Sequence, residues 1–162
     1  MSTPMQISET AALSDPRDFR RELARGICRA LAQHGFATLL EVPLANGRRA
    51  DVLALGRDGE LVVVEVKSSV ADFRSDRKWP EYRAFCDRLY FAEPAGFPAE
   101  LIPGECGLMI ADPFGAALLR EAPHVPLAAA RRRAMLLRFA RIGAGRLRRH
   151  IDPGIADPES SG

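Results

Sequence analysis

The sequence contains few cysteines and histidines, and those present are scattered. Three cysteines lie far apart at Cys28, Cys86 and Cys106, without a C-x-x-C pair. This spacing does not fit a disulfide framework or a zinc site, so we expect free thiols. The three histidines are equally dispersed and form no ligand pattern. Metal binding through sulfur or imidazole is therefore not predicted.

Long apolar runs are also absent. No stretch approaches the roughly 18 consecutive apolar residues of a membrane helix, and the opening residues lack the basic and apolar regions of a signal peptide. We therefore expect a cytoplasmic protein without a membrane partner. The 162 residues are 47% apolar and 27% charged, which is typical of one globular domain. Small polar residues, prolines and glycines predict a disordered tail at 1–13, a domain at 14–151 and a flexible tail at 152–162.

Acidic residues are missing between Ala122 and Ile151, although eight arginines lie there. The formal charge of the whole chain is only +2, so this segment carries +8 and the remainder −6. An arginine-only segment beside an acidic body favours an anionic partner such as nucleic acid. The alternative is a solvated helix face that uses arginine for solubility.

The apolar pattern predicts an α/β protein with a mixed sheet flanked by helices. A helix begins near Asp15–Pro16 and ends at His34–Gly35. Tight turns at Asn46–Gly47 and Gly56–Gly59 join the first three strands into an antiparallel meander. The predicted strands are 36–42, 50–55, 61–67, 88–93 and 106–112, with further helices from 79 and over 127–149.

Charged residues end the most apolar strand, which has the sequence LVVVEVK over 61–67. Period-two alternation places Glu65 and Lys67 on one face. A turn centred near Asp58 brings Asp51 opposite either Val64 or Glu65. In the second register two carboxylates face each other, an unfavourable pair that a bound Mg²⁺ would relieve. With Lys67 nearby, these are the parts of metal-assisted phosphodiester hydrolysis. The alternative is an exposed strand end with a solvated Glu–Lys pair.

Longer motifs carry a family resemblance. They are GRRADV at 47–52, VEVKSSVADF at 64–73, DRKWPEY at 76–82 and CDRLYFA at 86–92. The three-residue site resembles that of the PD-(D/E)XK nuclease superfamily, and the motifs resemble the MmcB family of bacterial DNA-repair proteins. The resemblance runs from about Phe19 through the C-terminal helix. It implies a restriction-endonuclease-like core, α-β-β-β-α-β, followed here by a long C-terminal helix.

The resemblance also implies roles for individual residues. Asp51 and Glu65 match the acids that bind Mg²⁺ or Mn²⁺, and Lys67 matches the catalytic lysine. Glu22 on the first helix and Glu41 on the first strand are further candidate metal ligands. Ala50 stands where the superfamily motif has its proline, a position that varies among its members.

The partner that the resemblance implies is DNA, with other repair proteins and a second copy of the chain as further options. The expected activity is metal-dependent DNA cleavage, and the alternatives are a repair module that binds DNA or a partner without cleaving, and a plain interaction protein. Eight residues are candidates for contacts to DNA: Arg48, Arg49, Ser68, Lys78, Trp79, Arg131, Arg132 and Arg138. Trp79 is equally suited to anchor its helix in the core.

Overall fold

A computed structural model describes residues 15–155 of the chain. In chain order it contains α1 (Pro16–Gln33), β1 (Ala37–Pro43), β2 (Arg49–Leu55), β3 (Leu61–Val66), α2 (Val70–Ser75), a 3₁₀ segment (Trp79–Phe85), β4 (Arg88–Glu93), a short 3₁₀ turn (Ala99–Leu101), β5 (Gly107–Ala111), β6 (Ala116–Arg120) and α3 (Ala129–Ile151). The predicted tail at 1–13 and most of that at 152–162 lie outside the described residues.

All six strands form one mixed sheet in the order β1-β2-β3-β4-β5-β6. The first three strands are antiparallel neighbours, as predicted from the two turns. β4 then runs parallel to β3, and β5 parallel to β4, before β6 returns antiparallel. The α/β class and the expected order α-β-β-β-α-β are thus confirmed, with β5, β6 and α3 following.

The sheet separates two apolar clusters. On one side α1 packs Leu23, Ile27 and Leu31 against alternate residues of β2 and β3 such as Val52 and Val64. On the other side α3 contributes Met135 to a cluster containing Leu53, Val63 and Phe91. β3 is buried along its whole length, which explains its unbroken apolar sequence. Polar side chains at the end of this strand therefore need partners or neutralisation.

The ends of α1 follow from local chemistry. The side chain of Asp15 accepts a hydrogen bond from the backbone N–H of Arg17 and caps the helix, and Pro16 occupies the first turn. At the other end Gly35 has φ +84°, and the backbone N–H of Phe36 reaches back to the carbonyl of Leu31 at 3.0 Å. This is a Schellman ending, which requires the left-handed conformation that glycine adopts easily. It turns the chain directly into β1.

Three elements differ from the sequence-based expectation. α2 was not predicted, although Ser69 caps it by accepting from the backbone N–H of Asp72 at 3.1 Å. The helix expected from residue 79 is a 3₁₀ segment. β6 was also missed; it is an edge strand whose central residues, including Leu118 and Leu119, are exposed. Within residues 15–155, no helix is long and apolar enough to span a membrane.

Candidate functional site

Asp51 and Glu65 lie at the point where the ladder between β2 and β3 ends. The last paired residues are Val52 and Val64, and the same register continued by one residue places Asp51 opposite Glu65. Of the two registers considered from the sequence, the structure contains the one that brings the carboxylates together. Here side chains replace the ladder, because Glu65 Oε1 accepts from the backbone N–H of Asp51 at 3.1 Å and Asp51 Oδ2 accepts from that of Val66 at 2.8 Å.

The strand is twisted at Asp51, which explains how its side chain reaches the α1 side. Val52 packs in the cluster with α1, whereas Ala50 packs in the cluster on the opposite side. Strict alternation would have placed both on one face. Across from Asp51, Glu41 adopts φ +52°, a left-handed conformation that is uncommon for residues other than glycine. Backbone of this kind is concentrated at functional sites.

Glu65 is more deeply buried than Asp51. Only 3% of its surface is exposed. Burial, and then the charge of Asp51, raise the pKa of Glu65 well above its usual value, despite opposing contributions from the Asp51 N–H and from Lys67. Glu65 is therefore easier to protonate than an ordinary glutamate. A divalent cation would displace such a proton.

Arg20 of α1 supplies a cation to Asp51. Its guanidinium lies 3.0 Å from Asp51 Oδ2, the oxygen that also accepts from Val66. Among residues 15–155, Asp51 Oδ1 and Glu65 Oε2 make no hydrogen bond and remain as donors for a metal. Within the same part of the chain no group of three or more His, Cys, Asp or Glu is arranged as a metal site. Mg²⁺ commonly binds one or two carboxylates and several waters, so a pair fits it.

Lys67 is held by an acid that follows β3 in the chain. Its side chain is 7% exposed, and Nζ lies 2.6 Å from Asp76 Oδ2. Burial acts to raise the pKa of Asp76, but the hydrogen bonds from Lys67 and from the backbone N–H of Lys78 hold it below its usual value. α2 makes this contact possible, because Asp76 is the residue that ends it. The ammonium group keeps two further N–H donors.

A second buried glutamate adjoins Lys67. Glu93 ends β4, and the parallel register pairs the preceding residues, Val66 and Ala92. Glu93 is fully buried, and neither of its carboxylate oxygens has a hydrogen-bond partner within the described residues. Burial raises its pKa to about 9, with Lys67 opposing and Asp72 adding to the shift. At neutral pH Glu93 is therefore an uncharged acid, and the sequence analysis did not single it out.

The two additional acids expected as ligands lie in different places. Glu41 is next to Asp51 at the twist, half exposed and bound to Arg49 at 2.6 Å. Glu22 is exposed, on the face of α1 that turns away from the sheet, and no contact joins it to Asp51 or Glu65. Glu41 therefore lies opposite Asp51 in the sheet but forms no three-acid metal group with the pair in the described part of the chain, and Glu22 lies apart.

Most of the residues expected to contact DNA have other partners. Arg48 makes a two-pronged ion pair with Glu81, at 2.5 and 3.2 Å. Ser68 donates to Asp72 through both its N–H and its hydroxyl. The Trp79 ring packs edge-on against Phe91, with centroids 5.9 Å apart, so it anchors its segment in the core. The side chain of Lys78 is exposed beside this segment.

The three expected arginines of α3 also contact the body of the protein. Arg131 lies over the ring of Phe85, 4.6 Å from its centroid. Arg132 makes a bidentate pair with Asp87 at 2.8 and 2.5 Å. Arg138 donates to the carbonyl of Pro43 at 3.0 Å. These three arginines therefore hold α3 against the sheet, whatever else they contact.

Comparison with known proteins assigns the chain to a family. The profile of the family described as DNA repair protein MmcB-like matches residues 9–154. The chain belongs to this family. The resemblance found in the motifs is thereby confirmed, and the MmcB-like family is one of DNA repair proteins, which points to DNA as a partner.

A solved structure of similar fold supports the assignment. The SPO1766 protein of unknown function from Silicibacter pomeroyi is 45% identical, with a TM-score of 0.82. The match covers 86% of this MmcB-like chain and 96% of that one. No functionally curated protein matches the sequence. The family therefore indicates a role in DNA repair. The reaction, if there is one, has to be inferred from the residues of the site.

Proposed function

We propose that this protein is a divalent-metal-dependent nuclease that hydrolyses phosphodiester bonds in DNA during repair. The observation that carries the proposal is the arrangement of Asp51 and Glu65. Each carboxylate is fixed by a backbone N–H of the neighbouring strand, and each keeps one oxygen without a hydrogen bond in the described part of the chain. Placing two acids side by side is unfavourable unless a cation joins them.

Each residue has a role in this proposal. Asp51 and Glu65 would hold Mg²⁺ or Mn²⁺, with water molecules as the remaining ligands. The bound ion would neutralise phosphate charge and lower the pKa of a water. Lys67 donates a hydrogen bond to the phosphate oxygen on which negative charge develops. Asp76 fixes the position of Lys67 through their 2.6 Å contact.

The test uses Lys67→Met, which removes the charge but keeps most of the buried volume. Labelled single-stranded, duplex, flapped, branched and damaged DNAs are incubated with Mg²⁺ or Mn²⁺. Loss of a preorganised donor to developing charge typically reduces the rate by about 100- to 1,000-fold. We expect a loss of this size in Lys67→Met, and loss of metal-dependent cleavage in Asp51→Asn because it alters a proposed metal ligand, with circular dichroism unchanged in both. Undiminished cleavage by folded Lys67→Met would contradict the assigned role.

A second candidate is a module that binds DNA without cleaving it. The ion pair between Arg20 and Asp51 favours this function, since a guanidinium already neutralises one acid of the pair. A calorimetric titration with Mn²⁺ separates the two candidates. Binding that disappears in Glu65→Gln supports the nuclease, whereas wild-type protein that binds DNA but no Mn²⁺ supports the module.

A further inference from the structure

A groove between α1 and the first two strands begins at Asp51, one member of the carboxylate pair. Its volume is about 560 Å³, and Asp51 and Glu41 form part of its wall. Five arginines complete the charged lining: Arg17, Arg20, Arg21, Arg25 and Arg49. Positive charge therefore exceeds negative charge in the groove. We call it the arginine groove.

The arginines of α1 form a ridge along this groove. Arg17, Arg21 and Arg25 recur every four residues, which places them above one another on one side of a helix. Eight residues of helix span about 12 Å. Along the axis of duplex DNA, the phosphates of one strand follow one another about every 3.4 Å, so 12 Å of this axis carries about three to four of them.

Contacts within the protein do not account for this ridge. The nearest acid to Arg17 is Asp15 at 3.7 Å, and the nearest to Arg21 is Asp18 at 4.0 Å, both between highly exposed side chains. Ion pairs of this kind contribute little to stability. Arg25 makes no ion pair with any other residue of the described range 15–155. Like charges four residues apart on a helix destabilise it slightly, so an anionic ligand would relieve this repulsion.

The arginine groove also leads to Asp51. Arg20 and Arg49 lie at its inner end, where they contact Asp51 at 3.0 Å and Glu41 at 2.6 Å. An anionic chain that lies along α1 would thus reach Asp51. The arginines of α3 do not offer an equal path, because Arg132, Arg138 and Arg146 donate to groups of the protein itself.

We propose that the arginine groove binds the sugar–phosphate backbone of the DNA strand that enters the Asp51–Glu65 site, with Arg21 and Arg25 each contacting a phosphate. The proposal deepens the proposed function by assigning the path of its substrate, and it rests on DNA being that substrate. It assigns the main electrostatic contact to α1, whereas the sequence had favoured the basic C-terminal segment.

The test compares two double variants that lose the same charge. Arg21→Ala/Arg25→Ala removes two of the three ridge arginines, and Arg133→Ala/Arg148→Ala removes two exposed arginines of α3. Fluorescence anisotropy with labelled duplex and single-stranded oligonucleotides measures the affinity. The measurements are made in EDTA at several salt concentrations between about 50 and 300 mM, which gives the salt dependence of the affinity. Thermal melting checks that both variants are folded.

Each phosphate contact contributes about 0.9 to the slope of log affinity against log salt for duplex and about 0.7 for a single strand. We expect the groove variant to lose about 1.8 of this slope for duplex, or about 1.4 for a single strand, and the α3 variant to keep it. Equal losses in both variants, or binding retained by the groove variant, would overturn the proposal. So would a wild-type protein that does not bind DNA.

The outcome is separable from that of the nuclease hypothesis. EDTA prevents metal-dependent cleavage, so binding is measured alone. A groove-dependent affinity without any cleavage in Mn²⁺ would retain this proposal and refute the proposed hydrolysis. Cleavage by wild type combined with full affinity in the groove variant would do the reverse.

Discussion

Replacing Glu93 by glutamine should change how the stability of this protein depends on pH. The carboxyl group is fully buried and has no hydrogen-bond partner in the described part of the chain. Its pKa in the folded protein is about 9, whereas an unfolded glutamate has a pKa of about 4.3. The folded state therefore retains a proton that the unfolded state has released across most of the accessible pH range.

The sign and size of the effect follow from this difference. Because the folded pKa is raised, the stability linked to Glu93 is fully present below pH 4.3 or so and is lost as the pH rises towards 9. One proton corresponds to about 1.4 kcal/mol per pH unit. Between pH 6 and pH 8 the wild type should lose about 3 kcal/mol more than Glu93→Gln, which has a similar shape and does not titrate.

Urea unfolding of both proteins at intervals from pH 5.5 to 8.5 measures this difference. The raised pKa of Glu65 acts in the same direction, but it is common to both proteins and cancels in the comparison. Glu100→Gln, which alters an exposed glutamate, reports the effect of charge loss alone. Parallel pH profiles for wild type and Glu93→Gln would refute the reasoning, since they would mean that Glu93 is ionised and bound to a cation such as Lys67.

Two further substitutions test other ion pairs. Arg20→Met should lower the free energy of unfolding by about 1–2 kcal/mol and tighten Mn²⁺ binding in a calorimetric titration, because it removes the cation paired with Asp51. Weaker Mn²⁺ binding would contradict competition between Arg20 and the metal. Arg132→Met should cost about 3 kcal/mol in urea unfolding at pH 7, because it leaves the fully buried side chain of Asp87 without its cation. Burial acts to raise the pKa of Asp87, but the pair with Arg132 helps to lower it to about 2. The wild type should therefore lose this stability only as the pH falls from about 4 towards 2. If Arg132→Met cost less than about 1 kcal/mol at pH 7, the pair would not have the assigned role.

The centre of the sheet and the carboxylate pair follow from local sequence. Asn46–Gly47 and Gly56–Gly59 each mark a turn, and the second restricts the register to two choices. The structure takes the choice that places Asp51 opposite Glu65. The left-handed conformation of Glu41 was not predicted, because such a conformation at a residue other than glycine has no sequence signal. It depends on tertiary contacts, including donation from Arg146 to the carbonyls of Leu40 and Glu41.

The elements missed were those with weak local preferences. β6 has the sequence AALLR, in which alanine and leucine favour helices over strands. Its strand conformation comes from pairing with β5. α2 has only six residues, too few for a helical period to be detected. Glu93 was missed for a related reason, since its proximity to Lys67 depends on parallel pairing of strands separated in sequence.

The charge of a segment proved a poor guide to where the protein offers free positive charge. The C-terminal segment contains arginines without acids, yet arginine carries five donors, and α3 uses them to bind carbonyls and Asp87 across the sheet. In α1 five arginines are interspersed with Asp18 and Glu22, so a count of charge along the sequence shows an excess of only +3, against +8 in the C-terminal segment. Folding separates these charges, because helical periodicity places Arg21 and Arg25 over the groove while Glu22 turns away. Charge should therefore be counted by helix face rather than by segment, and on that count α1 presents the surface that we propose for the anionic ligand.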